Sequence, residues 1–230
     1  MPRRPKNHRP DLNGVLVVDK PLGVTSAAVC RRVRRITGGA KVGHAGTLDP
    51  LATGVLVVCL GEATKRVPEL MAGEKGYLAE VDLSAFSTTD DMEGDPTPVE
   101  VSPGSEPGRG DVERVCAAFV GEIMQTPPVF SAIKMGGRSA YKLARAGEAP
   151  EMKARPALIH AIEVLAYEWP VVTIDVRCAK GTYIRSLARD IGVKLGTGGR
   201  LQSLRRTRVG PYTIDDAIAL EEIPENPPLV

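Results

Sequence analysis

No apolar run in the 230 residues approaches the roughly 20 needed to cross a bilayer, so no segment reads as a membrane span. The N-terminal stretch MPRRPKNHRP has no apolar core and is no secretion signal. It is too short and too rich in proline for a transit helix, and reads as a flexible basic arm over residues 1–10. Cysteine is scarce. Cys30, Cys59, Cys116 and Cys178 lie far apart, with no CxxC spacing and no histidine nearby, which argues against zinc and for a reduced cytoplasm. Histidine is scarcer: His8, His44 and His160 are too scattered for a metal or triad case. GxGxxG, the P-loop pattern and HExxH are all missing, so dinucleotide, ATP and zinc-hydrolase chemistry have no support. No cofactor and no metal are expected.

What is present is an ordinary globular composition, 43% apolar and 25% charged, at a length suiting one large domain. The net charge of +2 conceals an uneven distribution. Residues 80–113 hold ten acids and one base, Arg109. Against them stand three basic clusters: Arg3, Arg4, Lys6 and Arg9; Arg31, Arg32, Arg34, Arg35 and Lys41; and Arg200, Arg205, Arg206 and Arg208. The clusters are either solvated faces or together one basic face for a polyanion.

GVLVV at 14–18 and again at 54–58 has the look of strands buried on both faces. Between them Thr25 or Ser26 can cap a helix with Val29, Val33 and Ile36 on one face, stopped by Gly38 and Gly39. Tyr77, Ala79, Val81 and Leu83 alternate with polar neighbours as a half-buried strand. Residues 84–110, acidic and rich in Pro and Gly, read as a long mobile loop. A helix from Asp111 would use Val112, Val115, Phe119 and Ile123. Thr126-Pro127-Pro128 breaks it, a short strand follows near Ser131–Met135, and a helix covers Ser139 to Ala146. Residues 157–167 and 171–179 pair as strands. A helix then buries Ile184, Leu187, Ala188, Ile191 and Leu195. Arg200–Val209 is a basic strand, Asp215–Leu220 a last helix, and PENPPLV a frayed tail. Without a regular βαβ rhythm this is α+β, with a mixed, mostly antiparallel central sheet flanked by helices and loops.

One motif carries chemistry. HAGTLDPLATGVL, residues 44–56, sets a single carboxylate, Asp49, on a loop shaped by Gly and Pro and followed by a buried strand. Asp-Pro is also ordinary turn chemistry. As a nucleophile, a lone aspartate needs a cation to hold and ionise it. Arg185, at a strand-to-helix junction in AKGTYIRSLARDIG, is a candidate.

The same motif closely resembles the catalytic motif of the TruB-type tRNA pseudouridine synthases. So do further blocks in the same order: GVLVVDKPLGVTS (14–26), KGY (75–77), QTPPVFSAIKMGGRSAYKLARAGE (125–148), CAKGTYIRSLARDIG (178–192) and LQSLRRTRVGPY (201–212). The resemblance implies the pseudouridine synthase fold over residues 11–220, with 84–110 as a thumb-like insertion and 221–230 as a tail. It implies isomerisation of uridine 55 in the tRNA T-arm to pseudouridine, with base flipping and without a cofactor. It makes Asp49 the nucleophile, Arg185 its partner and Tyr77 the residue stacking on the target base. His44 would insert into the T-loop, and Leu204, Tyr183 and Lys20 would line the substrate site. Lys65, Arg145, Arg205 and Arg206 would contact phosphates. The plain alternatives are an inward strand residue for Tyr77, core for Leu204 and a surface charge for Arg185.

The family's Leu-Gly and Thr-Asp-Thr appear here as Leu83-Ser84 and Ser87-Thr88-Thr89, while Asp91 and Gly94 fit. A PUA-type C-terminal domain is not seen. The expectation is a cytoplasmic monomer acting on tRNA, with no membrane and no obligate protein partner. The rivals are a guide-RNA-dependent synthase of the dyskerin type, a tRNA-folding chaperone and a nucleoside hydrolase that would release free uracil.

Overall fold

The first GVLVV run forms β1 (Gly14–Lys20), and Val15, Leu16, Val17 and Val18 are each no more than 3% exposed, so both of its faces are covered. The computed structural model describes residue 9 and residues 11–131, 133–148 and 150–230. The expected basic arm therefore lies outside the described residues apart from Arg9, which bonds Asp11 and Asn226. The chain divides into two compact units, residues 1–77 with 204–230 and residues 78–203.

In the first unit, α1 (Ser26–Ile36) starts where the Thr25 hydroxyl accepts the Ala28 N–H, and it buries Val29 and Val33. Each buried valine contributes roughly 1.5–3 kcal/mol. Gly38 and Gly39, both at positive φ, end the helix as expected. β2 (Val42–His44) and β3 (Ala52–Leu60) follow, then α2 (Val67–Ala72). β4 (Lys75–Asp82) carries the chain out of this unit. Val15, Val17, Val55, Val57, Cys59 and Leu70 form its core.

The second unit holds β5 (Ala85–Ser87), β6 (Pro96–Pro98), α3 (Arg109–Ala117), β7 (Gly121–Gln125), β8 (Lys134–Met135), β9 (Arg138–Ser139), α4 (Ala140–Arg145), β10 (Arg155–Glu168), β11 (Val171–Cys178) and α5 (Ile184–Leu195). β10 pairs antiparallel with both β11 and β7. The expected alternation holds on β11, where Val172, Ile174, Val176 and Cys178 are buried. α3 packs on β10 and α5 through Val112 and Cys116.

β12 (Arg200–Val209) returns the chain to the first unit, followed by β13 (Tyr212–Thr213) and β14 (Ile218–Ala219). There β1 lies antiparallel to β3, while β12 joins β3 and β14 joins β1 in parallel. The mixed, mostly antiparallel α+β reading is correct.

Five local expectations fail for tertiary reasons. Residues 84–110 are not one loop: β5 and β6 pair as a hairpin, and Asp91 is 1% exposed. α3 stops at Ala117, and Ile123 instead pairs with Ala157 on β10. The strand near Ser131–Met135 shrinks to the two residues of β8. The expected last helix is a 3-10 turn at Ile214–Asp216, after which Ile218 and Ala219 pair with Val18 and Asp19 on β1. The tail is not frayed, because Val230 exchanges both backbone hydrogen bonds with Val15, at 2.8 and 2.9 Å.

One glycine fixes the closest strand contact. Gly54 sits at φ +98°, paired with Lys20 of β1 on one side and Arg206 of β12 on the other. A Cβ there would lie 2.2 Å from the Arg206 carbonyl oxygen. Both strain and clash oppose any side chain. Gly54→Ala is expected to cost at least about 2 kcal/mol, read as a lower urea midpoint with unchanged m-value.

Candidate active site

The Asp49 loop runs from the end of β2 to the start of β3, and its backbone is tied down carbonyl by carbonyl. Arg206 donates to Gly46 O at 3.2 Å and Thr47 O at 3.3 Å, and its Nε to Val55 O at 2.8 Å. The Ser26 hydroxyl accepts from Leu48 N–H and donates to Leu48 O, each at 2.9 Å. Ala52 N–H donates to Asp49 O, and Gly23 N–H to Pro50 O. Lys20 Nζ donates to Pro21 O at 2.8 Å, Val24 O at 2.7 Å and more distantly Pro50 O. Five consecutive carbonyls, Gly46 to Pro50, thus each accept a bond. The Asp49 side chain is left half-exposed on a loop with no slack.

Lys20 and Arg206 share a rung with Gly54 across three strands and reach the loop from opposite sides. They are 0% and 2% exposed. Loss of hydration pushes the Lys20 ammonium down to about 8, opposed by the Asp49 charge and reinforced by Arg206. Both side chains are buried and committed to backbone carbonyls, so neither offers a free charge at the surface.

Arg205, the next residue along β12, points the other way. It forks onto Asp19, with a shortest distance of 2.7 Å, and stays partly exposed. Lys65 is exposed and pairs with Glu62, and Arg145 is exposed over the Tyr141 ring at 5.1 Å. Arg200 pairs with Asp82 at 2.8 Å. Of the third basic cluster, only Arg208 is both exposed and without an ion pair among the described residues. The α1 arginines are exposed.

His44 ends β2 opposite Val58. Its Nδ1 is buried with no hydrogen-bond partner among the described residues, and burial, then Arg206, holds its pKa below the usual value. Tyr77 and Leu204 are each 9% exposed, and Leu204 pairs with Ala52, the residue that closes the loop.

In the second unit Arg185 overturns its surface-charge alternative, being 6% exposed at the start of α5. It donates to Phe130 O at 2.9 Å and Thr89 O at 3.2 Å, and its Nη1 lies 3.3 Å from Asp91 Oδ2. Asp91 also accepts from Glu93 N–H and the Thr89 hydroxyl. Tyr183, the N-cap of α5, has both backbone groups held by the buried Gln125 amide, at 2.8 and 3.0 Å. Asp49, Tyr77, His44 and Leu204 thus belong to the first unit, and Arg185, Tyr183 and Arg145 to the second. Sequence reasoning missed Ser26, Gln125 and the anchoring of Arg185 by Asp91. Only the family fit of Asp91 hinted at the last. Among the described residues no acid, His and Cys group could hold a metal, and no helix is long and apolar enough to cross a membrane.

The family model for the TruB family pseudouridylate synthase N-terminal domain matches residues 34–184. That for the tRNA pseudouridylate synthase B C-terminal domain matches residues 185–226. The tRNA pseudouridine synthase B of Syntrophotalea carbinolica is 48% identical over 92% of this chain and 69% of its own length. That of Thermobifida fusca is 48% identical over 92% and 74%. Among solved structures, a crystal structure of a Cbf5-Nop10-Gar1 complex matches with TM-score 0.71 and 35% identity, over 91% of this chain and 53% of that one. An H/ACA RNP bound to a substrate RNA containing 2′-deoxyuridine matches with TM-score 0.68 and 30% identity, over 97% and 58%. This chain spans little more than half of those two chains. The matches define the class as pseudouridylate synthase. Within that class, the chain belongs to the TruB family.

Two outcomes are expected. Arg206→Met removes the donor to the buried Val55 carbonyl and the part-buried carbonyls of Gly46 and Thr47 and costs about 3 kcal/mol, whereas Arg205→Met, at a partly exposed pair, costs under about 1 kcal/mol; urea unfolding measures both. His44, with its folded pKa below its unfolded one, binds fewer protons folded than unfolded just below pH 6.5. Its contribution is complete above pH 6.5 and is lost as pH falls through the folded pKa. His44→Asn flattens that part of a pH series of urea midpoints.

Proposed function

We propose that this chain isomerises uridine 55 in the T-arm of tRNA to pseudouridine, with Asp49 as the nucleophile and no obligate protein partner. The observation that carries the reading is the Asp49 loop, whose every carbonyl from Gly46 to Pro50 is engaged, so the carboxylate is presented in one geometry. The relatives named tRNA pseudouridine synthase B supply the substrate class.

The reaction breaks the bond from C1′ to N1 of the base and makes one from C1′ to C5. N1 gains a proton and C5 loses one, with no net redox change. The Asp49 carboxylate attacks C1′ or C6, and both routes end with loss of the C5 proton. Arg185, anchored by Asp91, takes the catalytic role that the family resemblance assigns it. Tyr77 stacks on the uracil and assists proton removal, as a π-face joined to a weak acid allows. His44, held neutral, fills the gap left when the nucleotide leaves its stack. Lys65, Arg145 and Arg205 are the remaining candidates for phosphate contact, with Leu204 and Tyr183 beside the base.

The test uses a T-arm stem-loop carrying tritium at C5 of its uridines. Wild type alone is expected to release tritium from position 55 without free uracil. Asp49→Asn is expected to bind the RNA as tightly and to turn over at least about 10⁴-fold more slowly. Tight binding with no release by wild type would overturn the reading and favour an RNA chaperone, while free uracil would indicate a hydrolase.

A further inference from the structure

Residues Arg185 and Arg189 lie one turn apart on α5, where like charges repel. Facing them are two adjacent carboxylates, Asp90 and Asp91, and each arginine takes one. Arg185 Nη1 lies 3.3 Å from Asp91, and Arg189 Nη1 lies 2.7 Å from Asp90. Both arginines also tie down the segment after β7: Arg185 donates to Phe130 O and Arg189 to Thr126 O, each at 2.9 Å. Asp190 completes the cluster, 2.9 Å from Arg189.

Asp90 occupies its place at a cost. It is the one non-glycine residue at positive φ among the described residues, at +61°, and its side chain is 13% exposed. Its backbone carbonyl accepts the Leu201 N–H at 3.0 Å, while Asp91 forms a bridge to Leu201. Burial pushes the Asp90 carboxyl up, and Arg189 opposes this more than Arg185 does, with Asp190 and Asp91 raising it further. A buried carboxylate this close to two guanidiniums takes whichever is free.

We propose that Arg189 is a positioning residue for Arg185: by engaging Asp90 it reserves Asp91 for Arg185 and holds the Arg185 guanidinium in its place at the start of α5. This rests on the function proposed above, in which Arg185 is a catalytic residue. Without Arg189, Asp90 competes with Asp91 for Arg185 and draws it aside. A displacement of about 1 Å is enough for a loss near a hundredfold.

The experiment measures tritium release from the T-arm stem-loop by wild type, Arg189→Gln, Asp90→Asn and the double variant, alongside thermal unfolding of each. Arg189→Gln is expected to lower kcat by about ten- to a hundredfold with little change in KM. Asp90→Asn, which keeps a residue tolerant of positive φ, is expected to lower kcat only slightly. The double variant, lacking the competing carboxylate, is expected to recover most of the kcat lost in Arg189→Gln. Equal kcat per folded enzyme in wild type and Arg189→Gln would overturn the proposal even where unfolding shifts. So would a double variant no faster than Arg189→Gln. Absence of release by wild type would instead refute the function itself, so the two failures are distinguishable.

Discussion

A guanidinium sealed from water must find an acceptor for its N–H groups or forfeit several kcal/mol, and in this protein that requirement organises the reactive loop. Arg206 meets it with the carbonyls of Gly46, Thr47 and Val55. The bonds join β12, β3 and the turn bearing Asp49 into one piece. Other features follow from it. β12 must run so close to β3 that only glycine fits at position 54. Lys20, on the same rung, meets the same need from the far side with the carbonyls of Pro21, Val24 and Pro50. Two cations that read as ligand contacts are the internal frame on which a carboxylate is mounted.

The second unit uses the same device. Arg185 and Arg189 project from the first turns of α5 and divide their donors between backbone carbonyls of one segment and the carboxylates and Thr89 carbonyl of another. Buried arginine suits this work better than lysine would, because its planar fork carries donors in fixed directions and can serve two chain segments at once. The Gln125 amide secures the N-terminus of the same helix by closing both hydrogen bonds on Tyr183. α5 is thereby the support from which the 87–91 turn and the 126–130 segment are both held.

Elements whose signal is local were legible in advance. The GVLVV strands, α1 with its Thr25 cap and the β10–β11 pair follow from periodicity and capping alone, and the Asp49 motif stood out as chemistry. Depth did not. Arg205 and Arg206 differ only in phase along β12, and a strand with basic residues on both faces offers no apolar alternation to set that phase. So Arg206 read as a surface charge. Asp90 and Asp91 sat within a run of acids that looks solvated, and their partners lie about a hundred residues further on. The last helix was misread because Ile218 and Ala219 are claimed by the open side of β1, a tertiary event with no local signature. The pinning of Val230 to Val15 was hidden for the same reason.

Under the function proposed above, the engaged carbonyls of the Asp49 loop also determine which partner deforms when a base is taken out of a folded arm. A loop with every backbone acceptor occupied does not bend to meet a stacked nucleotide, so the work of deformation falls on the RNA. Selection then acts on mechanical compliance. A uridine whose stacking and pairing are already weak is reached at little cost, and one inside a regular helix is refused without any group touching it. Stiffness in the protein thereby becomes a filter on the softness of the nucleic acid.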